Sequence, residues 1–286
     1  MDKGIAEEQA MSRIKECFTT RFENGKIVNA DFSQLEVVGL AILSLDQQLI
    51  DDIKSGRDMH VVRAAELLGI AESAVTKQQR QLAKMLSFQL QYGSGARNMA
   101  EQNKIHINLA KKFIEQYYER YKDVKQWQDH VRDSVVASRR VEGHTKGGYP
   151  RGVGTYRSPS GRAYSFYEYD PMGSWQKDPS FSPTEMKNYP CQGFSTGDVM
   201  ALYRSQVMRQ LLPYMFTNIL FINSVHDSVM FDCDSEESVA ICKKVLYNMC
   251  KELPMLLTKR FGIEVPLEFK IDVETGPSWA ELSKVA

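Results

Sequence analysis

The chain has 286 residues, enough for one large domain or two modest ones, with 43% hydrophobic residues and a formal net charge of zero. No stretch reaches the roughly 18 uninterrupted apolar residues of a membrane span, and the charged start MDKGIAEEQAMSRIKECF lacks a signal-peptide apolar core. The five cysteines (Cys17, Cys191, Cys233, Cys242, Cys250) form no CxxC pair, which argues against a zinc site or disulfide frame and predicts reduced packing residues in a cytoplasm.

In chain order, residues 26–32 (KIVNADF) predict a short buried strand, and SQLEVVGLAILSLD a helix apolar nearly all round, hence buried. Residues 60–69 and 76–92 predict helices, and residues 107–140 a long helical stretch carrying Tyr117, Tyr118, Tyr121 and Trp127. Residues 143–183 are rich in Gly, Pro, Ser and Tyr without a helical period, and predict hairpins and loops. A helix returns at about 193–212. NILFINSVHDSVMFDC predicts a hairpin with His226 and Asp227 at its tip, followed by a helix over 236–252 and a last strand within VPLEFKIDVETGPSW. No internal repeat is present.

Zero net charge argues against a simple basic nucleic-acid binder. The charge is unevenly spread, however: residues 77–162 carry 17 Lys and Arg against 7 Asp and Glu. A basic block joined to an acidic remainder suits a protein that holds a polyanion in one region and cations in another.

Within that block, KQQRQLAKMLSFQLQYG (77–93) places Arg80, Lys84, Phe88 and Tyr92 four apart. Every fourth helical residue drifts by only about 40°, so these side chains form one slowly winding stripe. Leu82, Met85, Leu86 and Leu90 form the side a core would bury, and Gly93 and Gly95 suit the helix end. An amphipathic helix with a solvated cationic face accounts for this pattern; so does a face that meets phosphates and then a flat ring. Asp31 at the end of a buried strand and Asp227 at a hairpin tip serve as ordinary turn residues if apart. Brought together, they could hold a pair of Mg²⁺ ions for in-line phosphoryl or nucleotidyl transfer.

DFSQLE (31–36), RQLAKMLSFQLQYG (80–93) and VHDS (225–228) resemble motifs A, B and C of family A DNA polymerases, in order, with further matches at DMH (58–60), NYPCQG (188–193) and GPSW; phage polymerases are nearest in style. The resemblance runs from about Arg13 to Trp279. It implies an α+β fold: an antiparallel palm sheet with packed helices and a mainly helical fingers insertion. The division would be palm over 1–59, fingers over 60–185 and palm again over 186–286. It implies template-directed DNA synthesis from dNTPs with two Mg²⁺ ions, Mn²⁺ being a workable substitute. Asp31, Asp227 and the Phe32 carbonyl would hold the metals. Arg80 and Lys84 would contact the triphosphate, His60 would approach it, Phe88 would stack by the nucleoside and Tyr92 would sit beside the nascent pair. Glu36 would crowd the sugar 2′ position and Gln34 would join the substrate site. Asn188, Gln192 and His226 would contact primer or template.

Three positions depart from the family pattern: Val38 and Thr184 stand where arginine is common, and Ser228 replaces the glutamate that usually follows His-Asp. The family's thumb, early palm and 3′–5′ exonuclease have no counterpart segment here. The expectation is therefore the C-terminal part of a split polymerase, with a second polypeptide supplying the thumb and early palm, acting in the cytoplasm (the host's, if phage-encoded). The alternative is a non-catalytic DNA-binding or assembly subunit that keeps the polymerase shape.

Overall fold

The computed structural model describes residues 14–173 and 176–284, so the charged start and Ser174–Trp175 of the Tyr-rich stretch lie outside the described residues. The elements run β1 (Lys26–Phe32), α1 (Leu35–Ser44), α2 (Gln47–Ser55), α3 (Met59–Leu68), α4 (Lys77–Gln91), α5 (Ala96–Asn103), α6 (Ile107–Arg120) and α7 (Lys122–Ala137). Then follow β2 (Arg140–His144), β3 (Pro150–Arg157), β4 (Ala163–Tyr169), β5 (Ser180–Phe181), α8 (Pro183–Gln192), a π-helical turn (Gly193–Val199) and α9 (Met200–Leu211). The last are β6 (Ile219–Val225), β7 (Ser228–Cys233), α10 (Glu236–Phe261), β8 (Ile271–Gly276) and β9 (Ser283–Lys284). The fold is mixed α+β with antiparallel sheets, as expected. It divides into two compact units: the described residues up to Leu35 together with those from Ser195 on, and Glu36–Phe194.

The first unit is built on a five-stranded sheet in the order β6-β7-β1-β8-β9. Ile27, Val28, Ala30 and Phe32 are buried, which makes β1 the central strand that its apolar run predicts. The helix α10 packs on β1, β7 and β8 through the stripe Leu246, Leu253 and Leu257. It continues to Phe261, past the expected end at 252 and through Pro254, because buried Leu257 extends the apolar stripe beyond the proline. The Tyr203 hydroxyl, fully buried, donates to the Leu246 carbonyl at 3.0 Å, and its ring lies edge-on to Phe32 at 4.8 Å.

The second unit is mainly helical. Helix α1 is buried along nearly its whole surface, as predicted. The expected continuous helix over 107–140 is two helices broken at Tyr121 (φ −113°, ψ 74°). One carboxylate explains the break: Asp46 accepts from Leu49 N–H at the start of α2 and from Asp123 and Val124 N–H at the start of α7. Tyr121 then donates its hydroxyl to Asp52 at 2.7 Å, where Arg120 also forks onto the carboxylate. The Gly- and Tyr-rich stretch forms a four-stranded sheet, β2-β3-β4-β5, in agreement with the hairpin expectation. At Gly154 a Cβ would lie 2.2 Å from the Val135 carbonyl of α7, so only glycine lets strand and helix approach. The helix expected from 193 instead begins at Pro183, capped by Ser182 accepting from Glu185 N–H at 3.3 Å. Pro190 lies inside α8, and a π-helical turn at Gly193–Val199 carries the chain on from α8 to α9.

Candidate functional site

The two acidic motifs meet in the first unit. Asp31 is an exposed position in the otherwise buried strand β1 and pairs with Ser228 on one side and Asp272 on the other. The β6–β7 hairpin closes through a two-residue turn in which His226 takes a left-handed backbone (φ 51°). The Phe32 N–H donates to the Asp227 carbonyl at 3.1 Å, which fixes the turn to the end of β1. The Asp31 and Asp227 side chains lie close enough for the Asp227 charge to act on Asp31. Asp31, His226, Asp227, Ser228, Asp272 and Glu274 line one cavity of about 500 Å³.

Partial desolvation at the cavity wall first, then the Asp227 charge, raise the Asp31 carboxyl to about 6, with Glu274 and Asp272 adding in the same direction. Two neighbouring carboxyls repel one another when both are ionised, and a cation would relieve that repulsion, so the pair fits divalent metal. Among the described residues no three His, Cys, Asp or Glu side chains converge on one metal position. A metal at this cavity would have the Asp31–Asp227 pair and neighbouring backbone as its nearest protein donors. Ser228, at the position where glutamate is usual, turns its hydroxyl to the Val225 carbonyl at 2.9 Å and serves the hairpin. Gln34, exposed between β1 and α1, has a left-handed backbone (φ 56°).

The motif B stripe lies in the second unit on α4, whose start is a capping box of Thr76 and Gln79. The buried side is Ala83, Leu86, Ser87, Leu90 and Gln91. Leu82 is only half-buried and Met85 is exposed, a correction to the expected apolar side: the core contact is rotated toward small and polar residues. Arg80 Nε donates to Asp58 at 2.6 Å, and Asp58 also caps α3 by accepting from His60 and Val61 N–H. Lys84 Nζ stands 5.8 Å from the Phe88 ring centre, and the His60 ring is 6.0 Å from it. Burial and the cations Arg63, Arg80 and Lys84 push His60 down to about 4, so it is neutral at physiological pH.

At the end of α4, the Tyr92 hydroxyl donates to Glu36 at 2.9 Å, while Gln192 Nε2 donates to the other Glu36 oxygen at 3.3 Å. Burial and Glu36 raise Tyr92 to about 12, which keeps it a donor. Gly93 (φ +81°) passes so close to Thr184 that a Cβ would lie 2.7 Å from the Thr184 Cα. Asn188 is half-buried on α8, one turn before Gln192. Arg80, Lys84, Phe88 and His60 are therefore grouped, as are Tyr92, Glu36 and Gln192. Sequence reading missed Asp58 as the Arg80 partner and Asp272 and Glu274 as neighbours of Asp31. The last two follow only from strand register: IDVETG pairs with NAD such that Asn29 and Asp31 face Glu274 and Asp272.

The carboxylate pair on an antiparallel sheet and, in the other unit, the cation–aromatic helix are groups whose chemistry suits nucleotidyl transfer. The family model for DNA polymerase family A matches residues 4–281. The chain belongs to DNA polymerase family A. It is 28% identical over 249 residues to DNA polymerase I of Aquifex aeolicus (strain VF5), covering 85% of this chain and 38% of that protein. It is 28% identical over 242 residues to a DNA polymerase of Bacillus phage SP01, covering 82% of this chain and 24% of that protein. Its fold matches the polymerase domain of Pol1 from M. smegmatis, solved in complex with DNA primer-template and dNTP, with a TM-score of 0.70 and 22% identity over 96% of this chain and 43% of that one. The chain thus spans a quarter to two-fifths of the curated relatives' length. No helix among the described residues is long and apolar enough to cross a membrane.

Proposed function

We propose that the chain carries the palm and fingers of a DNA-directed DNA polymerase that adds dNTPs to a primer 3′ end by a two-metal mechanism. The palm would comprise residues 1–59 and 186–286, and the fingers residues 60–185. The observation that carries this reading is the Asp31–Asp227 pair, joined by the Phe32 to Asp227 backbone bond, in a chain of family A. Asp31, Asp227 and the Phe32 carbonyl would hold two Mg²⁺ ions, or Mn²⁺ in their place. When bound, such ions supply charge neutralisation for the attacking and leaving oxygens.

The chain's own groups do the rest. Arg80 exchanges Asp58 for phosphate oxygens, and Lys84 adds a second charge as pyrophosphate departs. Neutral His60 offers a hydrogen bond without charge. Phe88 carries the sugar and base face, with Gln34 and Tyr92 completing the substrate site. Glu36, pinned by Tyr92 and Gln192, fills the space a 2′-hydroxyl would need. Asn188, Gln192 and His226 contact primer or template. Primer extension on a primed template, by this chain alone and again with any protein that co-purifies, tests the reading; template-matched incorporation is expected, and DNA binding without incorporation would favour a non-catalytic subunit.

The finer arrangement is a heteromeric enzyme in which a second polypeptide supplies the thumb and the early palm. Support comes from the end strand β6 of the sheet, which carries exposed Ile222 and follows exposed Leu212 and Phe216, the last 81% exposed. An apolar sheet edge of this kind finds a strand or helix to cover it.

A further inference from the structure

The sheet β2-β3-β4-β5 is not used by the chemistry above, and its two faces differ. Residues directly opposite in an antiparallel pair share a face, and alternate residues switch face. The inner face carries Gly154, Phe166 and Glu168: Phe166 stacks on Tyr189 of α8 at 6.2 Å, and Glu168 is buried under the Arg139 fork at 2.7 and 2.8 Å. The outer face carries Arg140 opposite Val153, Val153 opposite Tyr167, and Arg157 opposite Ala163. Tyr167 and Tyr169 stand about half exposed there.

The Arg151 guanidinium lies 4.9 Å from the Tyr167 ring centre. Its Nε donates to the backbone carbonyl of Glu142, and Arg157 Nη1 donates to the backbone carbonyl of Gly161. These two cations are held by carbonyls, and neither has a carboxylate ion-pair partner among the described residues; on the Tyr169 side, the acid Glu185 accepts from the Tyr169 hydroxyl at 2.5 Å. The acidic side chains of the sheet are engaged elsewhere: Glu168 by Arg139, Asp170 by Gly147 N–H and Thr145, and Glu142 by Arg140. The face therefore offers the exposed Tyr167 ring beside guanidinium groups that have no carboxylate partner among the described residues.

We propose that this outer face is a platform for the unpaired part of the template strand, with a base stacked on Tyr167 and phosphates on Arg151 and Arg157. The proposal rests on the polymerase reading above. Charge complementarity selects a polyanion. Exposed rings select a strand whose bases are free to stack, since a duplex keeps its bases stacked on one another.

Fluorescence anisotropy with primer-templates of short and long 5′ template overhang tests this, using the full chain. The wild type should bind the long overhang more tightly. Tyr167→Ala should weaken binding to the long overhang by about fivefold or more beyond any loss on the short one, as loss of one stacked base implies. Tyr167→Phe should keep the preference. Arg151→Ala should lower the salt dependence on the long overhang by about one phosphate contact. Wild-type binding that does not depend on overhang length, or equal losses on both templates, would overturn the platform while leaving the polymerase reading intact. The same holds if the variants release a co-purifying protein and leave DNA binding unchanged. No binding to any primer-template would overturn both.

Discussion

The Phe32 N–H donates to the Asp227 carbonyl across 3.1 Å, and this bond joins two motifs that lie almost two hundred residues apart in the chain. It brings two carboxyls together on a sheet where Asp272 and Glu274 add to the negative field. Repulsion within such a pair is a cost that a bound divalent cation would offset.

A pH-dependent stability follows. The Asp31 carboxyl is raised from 3.8 to about 6, so the stability that its protonated form contributes is complete below the ordinary value and is lost as pH rises through about 6. Adding Mg²⁺ should therefore raise the Tm more at about pH 7.5 than at about pH 5. Asp31→Asn should abolish that difference. Differential scanning fluorimetry across the range reads it directly; a Mg²⁺ effect independent of pH, or unchanged in Asp31→Asn, would contradict the assignment.

Sugar selection should depend on the hydrogen bonds around Glu36. Glu36→Ala should raise the ratio of rNTP to dNTP incorporation. Tyr92→Phe removes only the 2.9 Å bond that holds the carboxylate and should shift the ratio in the same direction by less. Competition assays with matched nucleotides check this; unchanged ratios in both variants would place sugar discrimination elsewhere.

Much of this arrangement is legible in the sequence. Strand KIVNADF, the VHDS turn and the four-residue stripe on α4 carry strong local signals: burial run, turn position and helical period. The Arg80–Asp58 pair is not legible, because the two residues are 22 positions apart on separate helices and meet only through packing. The same holds for Asp272, whose place beside Asp31 depends on strand register. The break at Tyr121 escaped because Asp46, far earlier in the chain, caps α7. The early start of α8 escaped because its signal is a single Ser182 cap with Pro183 at the first helical position, at the end of a Gly- and Tyr-rich stretch without helical period.

If Arg80 binds the triphosphate as proposed, its ion pair with Asp58 must compete with that contact. Arg80→Ala and Lys84→Ala should each raise the dNTP KM by roughly tenfold to a hundredfold, the worth of one charge-assisted contact. Asp58→Asn keeps the cap on α3 but removes the charge facing Arg80 and should lower the dNTP KM by a few fold. Steady-state incorporation kinetics decide. Loss of duplex affinity at unchanged KM in the Arg80 and Lys84 variants would make α4 a DNA-backbone contact instead.

The apolar β6 edge should be covered in the working enzyme. The chain alone should self-associate or extend primers weakly and distributively, and a co-purifying polypeptide should bury at least about 2,000 Å² against it. Phe216→Asp should weaken that assembly. Size-exclusion chromatography with light scattering measures both; a monomer that extends primers efficiently alone would contradict the heteromeric arrangement.

The most direct measurement is single-nucleotide incorporation by the active assembly carrying Asp31→Ala or Asp227→Ala, with primer-template affinity measured in parallel. Loss of charge stabilisation at the reacting oxygens should cut the rate by about a thousandfold or more in either variant. Affinity for primer-template should change far less. Wild-type-like extension by either variant would contradict the carboxylate pair as the seat of the chemistry.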